Sequence, residues 1–161
     1  MESMMVMLIL GTSAAIFTTV LSEGNNAYIF MSRLNRITQE SRGAMNWMIQ
    51  ELRSELRVGG SNGPTTAASG NLQFTRRSDA KTVIYSWAGG DTLTRQFDGG
   101  TTRTLAKNVT ALTFTYLDAS ENVLTAPVAN PENIVTIRIT MMIQMGDETI
   151  TVTSAVSPRN S

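Results

Sequence analysis

Glu2 is the one charge in an apolar segment that extends from Met1 to Leu21, and no further charge follows until Glu23. From Met4 to Leu21 the run is 18 residues long. A helix of that length spans roughly 27 Å, close to the roughly 30 Å hydrocarbon core of a bilayer. A carboxylate at the buried end of such a helix is costly, so it needs a cationic partner or a route to the interface. The chemistry available to Glu2 is therefore electrostatic pairing, which serves assembly rather than catalysis. Within the same run, Gly11, Ser13, Ala14 and Ala15 are small enough to let another helix approach closely.

Other chemistries find little support. Histidine and cysteine are both absent, which removes imidazole and thiol catalysis, zinc sites built on those residues, and disulfides. No Ser–Lys or paired-aspartate constellation stands out. Asp118-Ala119-Ser120-Glu121-Asn122 carries oxygen ligands at alternate positions, loosely like a calcium loop. It lacks that loop's glycine and terminal acid, so a polar turn between two strands is the better reading. Trp47, Tyr85, Trp87 and Tyr116 read as core aromatics rather than a binding surface, and Met141, Met142 and Met145 as sheet packing. The sequence thus predicts no catalytic, cofactor-binding or metal-binding residue and no enzymatic activity. Thirteen basic residues balance thirteen acidic ones, so no nucleic-acid partner is signalled either.

The elements that would position Glu2 follow from periodicity. A cleavable secretory signal should open with basic residues, but the first Lys or Arg is Arg33, so the 1–21 segment reads as a retained membrane helix. Gly24, Asn25 and Asn26 are poor helix formers and predict a bend or a melted stretch after it. An amphipathic helix is expected over 28–58, with Phe30, Met31, Leu34, Ile37, Ala44, Met45, Met48, Ile49, Leu52 and Leu56 forming one apolar stripe. Glu51 and Glu55, four apart, form a column of like charge on that helix, as do Arg53 and Arg57. Glycines and Pro64 end it, and residues 59–71 read as a flexible linker.

Residues 72–161 read as an antiparallel sheet. Strands are expected at Leu72 to Thr75, Thr82 to Trp87, Leu93 to Phe97, Thr102 to Leu105, Val109 to Leu117, Ile134 to Met145 and Glu148 to Val156. Gly146-Asp147 marks the strongest hairpin. One long helix followed by such a sheet is an α+β fold, with the 30–56 stripe as the cover for the sheet's apolar face.

In this order the features resemble the type IV pilin-like family, most of all the minor pseudopilins and minor pilins of the J and W types in bacterial type II secretion and type IV pilus systems. Glu2-Ser3-Met4-Met5-Val6-Met7-Leu8-Ile9-Leu10-Gly11 is similar to the mature pilin start, where a glutamate opens an apolar helix. Ser41-Arg42-Gly43-Ala44-Met45-Asn46-Trp47-Met48-Ile49-Gln50-Glu51-Leu52-Arg53 is similar to the helix of the minor subunits. Val109-Thr110-Ala111-Leu112-Thr113-Phe114-Thr115-Tyr116-Leu117-Asp118, the late strand pair and the terminal Arg159-Asn160 also resemble that group. One departure stands out: family precursors carry a short basic leader ending in glycine, and their glutamate is the fifth mature residue, whereas here it is residue 2.

The resemblance implies a pilin-like fold and a structural subunit of a filament or pseudopilus. Glu2 would neutralise the N-terminal amine of a neighbouring subunit, and Gly11, Ala14 and Ala15 would help the helices bundle. The partners implied are other pilin-like subunits, with the bacterial inner membrane holding the helix before assembly and the sheet domain on the periplasmic or outer side. The alternative is a single-pass anchored β domain that binds a ligand or partner and never polymerises.

Overall fold

The computed structural model describes residues 2–56 and 63–158; the side chains of residues 2–6, 8, 9 and 12 lie outside the described ones. Among the described residues one long helix, α1 (Glu2–Glu55), is followed by nine strands, with a single 3-10 turn at Pro131–Asn133. The chain divides into two compact units, Met1–Arg36 and Ile37–Ser161. Gly24, Asn25, Asn26 and Gly43 are all helical, so the melted stretch expected at 24–26 is absent. Each glycine costs a helix only about 1 kcal/mol relative to alanine, which good helix formers on either side offset.

In the second unit the strands form two sheets where the sequence suggests one. The first is an antiparallel meander of β1 (Pro64–Ala67), β2 (Asn71–Thr75), β3 (Thr82–Ser86), β4 (Thr92–Phe97) and β5 (Arg103–Lys107), in that spatial order. The second has the order β7-β6-β8-β9, from β6 (Val109–Leu117), β7 (Val123–Leu124), β8 (Thr136–Met145) and β9 (Glu148–Val156). The break between them falls on a single residue. Asn108 adopts a left-handed backbone (φ 58°), a conformation asparagine tolerates better than most residues. That corner turns the chain out of β5 and into a new ladder, where Leu112 faces Met141 and Phe114 faces Ile139.

The stretch 59–71, expected to be a linker, is partly strand. β1 runs antiparallel to β2 with Ala67 opposite Leu72, and Pro64 begins the edge strand, where its missing N–H costs nothing. Only Pro64 and Ala67 point inward in β1. So short an inward pattern, written in small residues, does not stand out from a linker composition. The 57–62 part of that expectation lies outside the described residues.

The core joins all three layers of the second unit. Ala44, Met45, Met48, Leu52 and Leu56 of the helical stripe are buried against Leu72, Phe74, Val83, Tyr85 and Leu93 of the first sheet and Leu112, Phe114, Ile137, Ile139 and Met141 of the second. Spacings of three and four place these helical residues on one face, and the period of two does the same in β6 and β8. Phe30 and Met31, assigned to the stripe, are exposed instead. Cross-sheet hydrogen bonds fix the layers: the Tyr116 hydroxyl donates to the Ala68 carbonyl at 2.9 Å and the Phe114 amide to that of Ser69 at 2.7 Å. At the β8–β9 hairpin, Gly146 has φ 61°, the positive value that a tight two-residue turn demands at its first central position. Met48 is fully buried at the centre of this packing. Its replacement by alanine is expected to cost about 2–5 kcal/mol, read as a lowered melting midpoint.

Candidate functional site

The first unit is helical, and its described side chains are exposed apart from that of Leu34, which is half-buried. Met7, Leu10, Ile16, Phe17, Val20, Leu21, Tyr28 and Met31 are all exposed large apolar residues. Ile16 and Val20 stand four apart, as do Phe17 and Leu21, so the two pairs lie side by side and make a broad apolar face. Gly11 and Ala15 share another face, again four apart; Ala14 and Ala15 are exposed, and a side chain built on Gly11 would meet nothing within 4 Å. The Thr18 and Thr19 hydroxyls donate back to the carbonyls of Ala14 and Ala15 at 2.7 and 2.9 Å. Both threonines thereby satisfy their donors without water, which suits an apolar setting.

Glu2 opens α1, but its side chain lies outside the described residues, as do those of Met4, Met5, Val6, Leu8, Ile9 and Thr12 from the apolar run. Among the described residues no helix is long and apolar enough to cross a membrane. The structure places Gly11, Ala14 and Ala15 on an open helical surface.

In the second unit, a charged network clamps the end of α1 to the first sheet. Glu51, its side chain only 10 % exposed, accepts two hydrogen bonds from the Arg95 guanidinium, from Nε at 2.9 Å and from Nη2 at 2.5 Å. It also accepts one from the Tyr85 hydroxyl. Burial and the neighbouring Glu51 charge push the Tyr85 phenol far up. The Glu51 hydrogen bond in turn holds the Arg95 guanidinium above its ordinary pKa, so both stay protonated. One turn on, Glu55 accepts from the Ser78 amide at 3.0 Å and from Arg76 at 3.3 Å, while its own carbonyl accepts from the Arg77 amide at 3.1 Å. That last bond satisfies a carbonyl that the end of a helix would otherwise leave bare, and the Arg76 cation complements the helix dipole.

The like-charge column of Glu51 and Glu55 is thus resolved by cations from β4 and the β2–β3 turn. Those partners lie 44 and 21 positions away in sequence. The column itself was the one available signal that positive charge had to arrive from elsewhere.

Glu55 also carries a pH dependence. Burial raises its pKa, but the hydrogen bonds from Ser78 and Arg76 outweigh that and hold it below the ordinary 4.5. A depressed folded-state pKa contributes stability that is full above the unfolded value and lost as pH falls through the folded one. E55Q is therefore expected to melt lower than the parent at neutral pH and to converge with it in acid. Thermal melts of both proteins from about pH 7 to about pH 3 check this.

The remaining residues read from the sequence fall into structural roles. Tyr85 and Tyr116 are buried, and Trp87 donates from Nε1 to the carbonyls of Gly90 and Val109. Trp47 stays exposed on α1, and of the methionines Met141 is buried while Met142 is exposed. Asp118 accepts hydrogen bonds from the amides of Ser120 and Asn122 and from the Asn122 side chain, an arrangement that closes a turn. Those bonds, the Asn122 side chain first, hold its carboxyl below the usual range. Among the described residues no group of acids is arranged to hold a metal ion. The chain matches no known protein family and no curated protein.

Proposed function

We propose that this protein is a non-enzymatic structural subunit of a pilin-like filament or pseudopilus, assembling through its N-terminal helix. The observation that carries the proposal is the exposed apolar face from Met7 to Met31. Each Å² of such surface left in water costs about 25 cal/mol, so a face this broad calls for a cover. In this reading the bacterial inner membrane covers it before assembly and the helices of other pilin-like subunits cover it afterwards. The 37–161 unit sits on the periplasmic or outer side and presents its sheets to neighbours. Glu2 meets the N-terminal amine of an adjacent subunit. Opposite charges in a low dielectric attract strongly while either alone is penalised, so the pair sets axial register.

The test is to shear filaments from the native host, image them, and determine the mass and N-terminal sequence of this chain within them. Its presence in fibres, scarce for a tip-priming subunit and abundant for a major one, supports the proposal. A chain confined to the membrane fraction, never in fibres, sinks it in favour of an anchored β domain. E2A is expected to cut incorporation well over tenfold at unchanged membrane level, the effect of leaving a buried amine unpaired at about 3 kcal/mol or more.

A further inference from the structure

We propose that a groove on the first sheet is a binding site for a small oxyanion, a phosphate or carboxylate compound. The site stands independently of the filament reading. The groove has a volume of about 480 Å³ and is lined by Arg76, Arg95, Phe97, Gly100, Thr101 and Arg103. That volume is within the range of small-ligand pockets. Three guanidinium groups line it and, among the described residues, no carboxylate does.

Strand register makes this arrangement unusual. Arg95 of β4 and Arg103 of β5 are directly opposite each other, so both side chains rise from the same face of the sheet. Like charges in that position destabilise a sheet. Glu51 neutralises Arg95, but Arg103 is exposed and makes no ion pair among the described residues. A second observation concerns Arg76. Its Nε is buried and donates no hydrogen bond among the described residues, and Glu51 Oε1 is 3.9 Å away. Arg103 thus brings a guanidinium with no ion pair among the described residues up to Arg95, an arrangement that an anion between them would stabilise.

The arginines are also held ready. Arg76, Lys81 and Arg95 all lie over the Phe97 ring, with their charged groups 5.2 to 5.4 Å from its centroid. Such contacts fix long side chains that would otherwise lose rotamer freedom on binding. Glu51, Glu55 and Asp79 hold Arg76 and Arg95 but do not line the groove, so its lining presents guanidinium donors. At its wall the β4–β5 turn is tight: a side chain on Gly100 would come within 3.0 Å of the Phe97 carbonyl. Planar guanidinium groups match the paired oxygens of carboxylates and phosphates, which defines the ligand class.

The experiment titrates the full chain in detergent at low ionic strength with inorganic phosphate, with citrate, and with glucose as a neutral control. Backbone amide shifts and titration calorimetry are followed together. Phosphate or citrate is expected to shift the amides of residues 97–103, and R103A is expected to weaken that binding about tenfold or more. R103A should also melt no lower than the parent when no anion is present, because it removes the Arg95–Arg103 repulsion. R138A, an exposed arginine on β8 outside the groove, should bind as the parent does. Binding of phosphate alone identifies a phosphate-bearing ligand, and binding of citrate alone a carboxylate-bearing one. If neither anion shifts those amides, or if R103A binds as tightly as the parent, the proposal is overturned.

Discussion

E51A is expected to destabilise the 37–161 unit by about 3–5 kcal/mol, a drop of roughly 10 °C or more in melting midpoint. The size follows from what is left behind. Arg95, only 14 % exposed, loses the carboxylate that accepts two of its hydrogen bonds, and the buried Tyr85 hydroxyl loses its acceptor. An uncompensated charge at such a site is far worse than no charge at all. The same reasoning gives the companion results. R95A should be comparably harmful, and E51A combined with R95A should cost much less than the two separately. E51M with R95M and Y85F removes the three hydrogen-bonded groups at similar volume, while Arg76 keeps its pairs with Glu55 and Asp79, and should recover most of the loss. Melts of the full chain in detergent give all these values. A shift below about 1 kcal/mol for E51A would place Glu51 among ordinary surface ion pairs and remove the clamp from the account of the fold.

Strands and helix differ in how far the sequence reveals them, for physical reasons. Val109–Leu117 is readable because a strand with one buried face must alternate, and Leu112, Phe114 and Tyr116 do so against threonines. The helical stripe from Ala44 to Leu56 is readable through its spacing of three and four. The division into two sheets is not, because it hangs on the backbone of Asn108, whose side chain would serve equally well in a plain turn. β1 is hidden because an edge strand with two inward residues barely differs from a linker.

The candidate sites divide in the same way. The apolar helix with Glu2 at its head is a local pattern and can be seen in the sequence. The clamp is half visible, since Glu51 and Glu55 reveal a need for positive charge but not its source. The arginine groove is invisible, because Arg95 and Arg103 face each other only after a bulge between Leu93 and Thr94 shifts the β4–β5 register. Chemistry assembled by register, and not by spacing along the chain, leaves no periodic trace.

F17D should exclude the chain from filaments while leaving the 37–161 unit folded. Phe17 belongs to the exposed apolar face, beside Ile16, Val20 and Leu21. In the proposed assembly that face is covered by neighbouring helices, and an aspartate near the middle of an apolar span costs about 2.5–3.5 kcal/mol. A deficit of that size reduces incorporation by roughly a hundredfold or more. F17A provides the control for membrane insertion: it keeps the helix apolar, so its membrane level should match the parent, and it still removes a large contact surface from the bundle. Arg53, exposed on α1 in the second unit, provides the control for charge, and R53D should leave incorporation within a few-fold of the parent. Membrane-inserted F17A and F17D entering fibres at parental levels would show that this face is not what other subunits grip. Loss of both from fibres, with the melting of the second unit unchanged, would assign assembly to the helix and leave the sheets free to select neighbours.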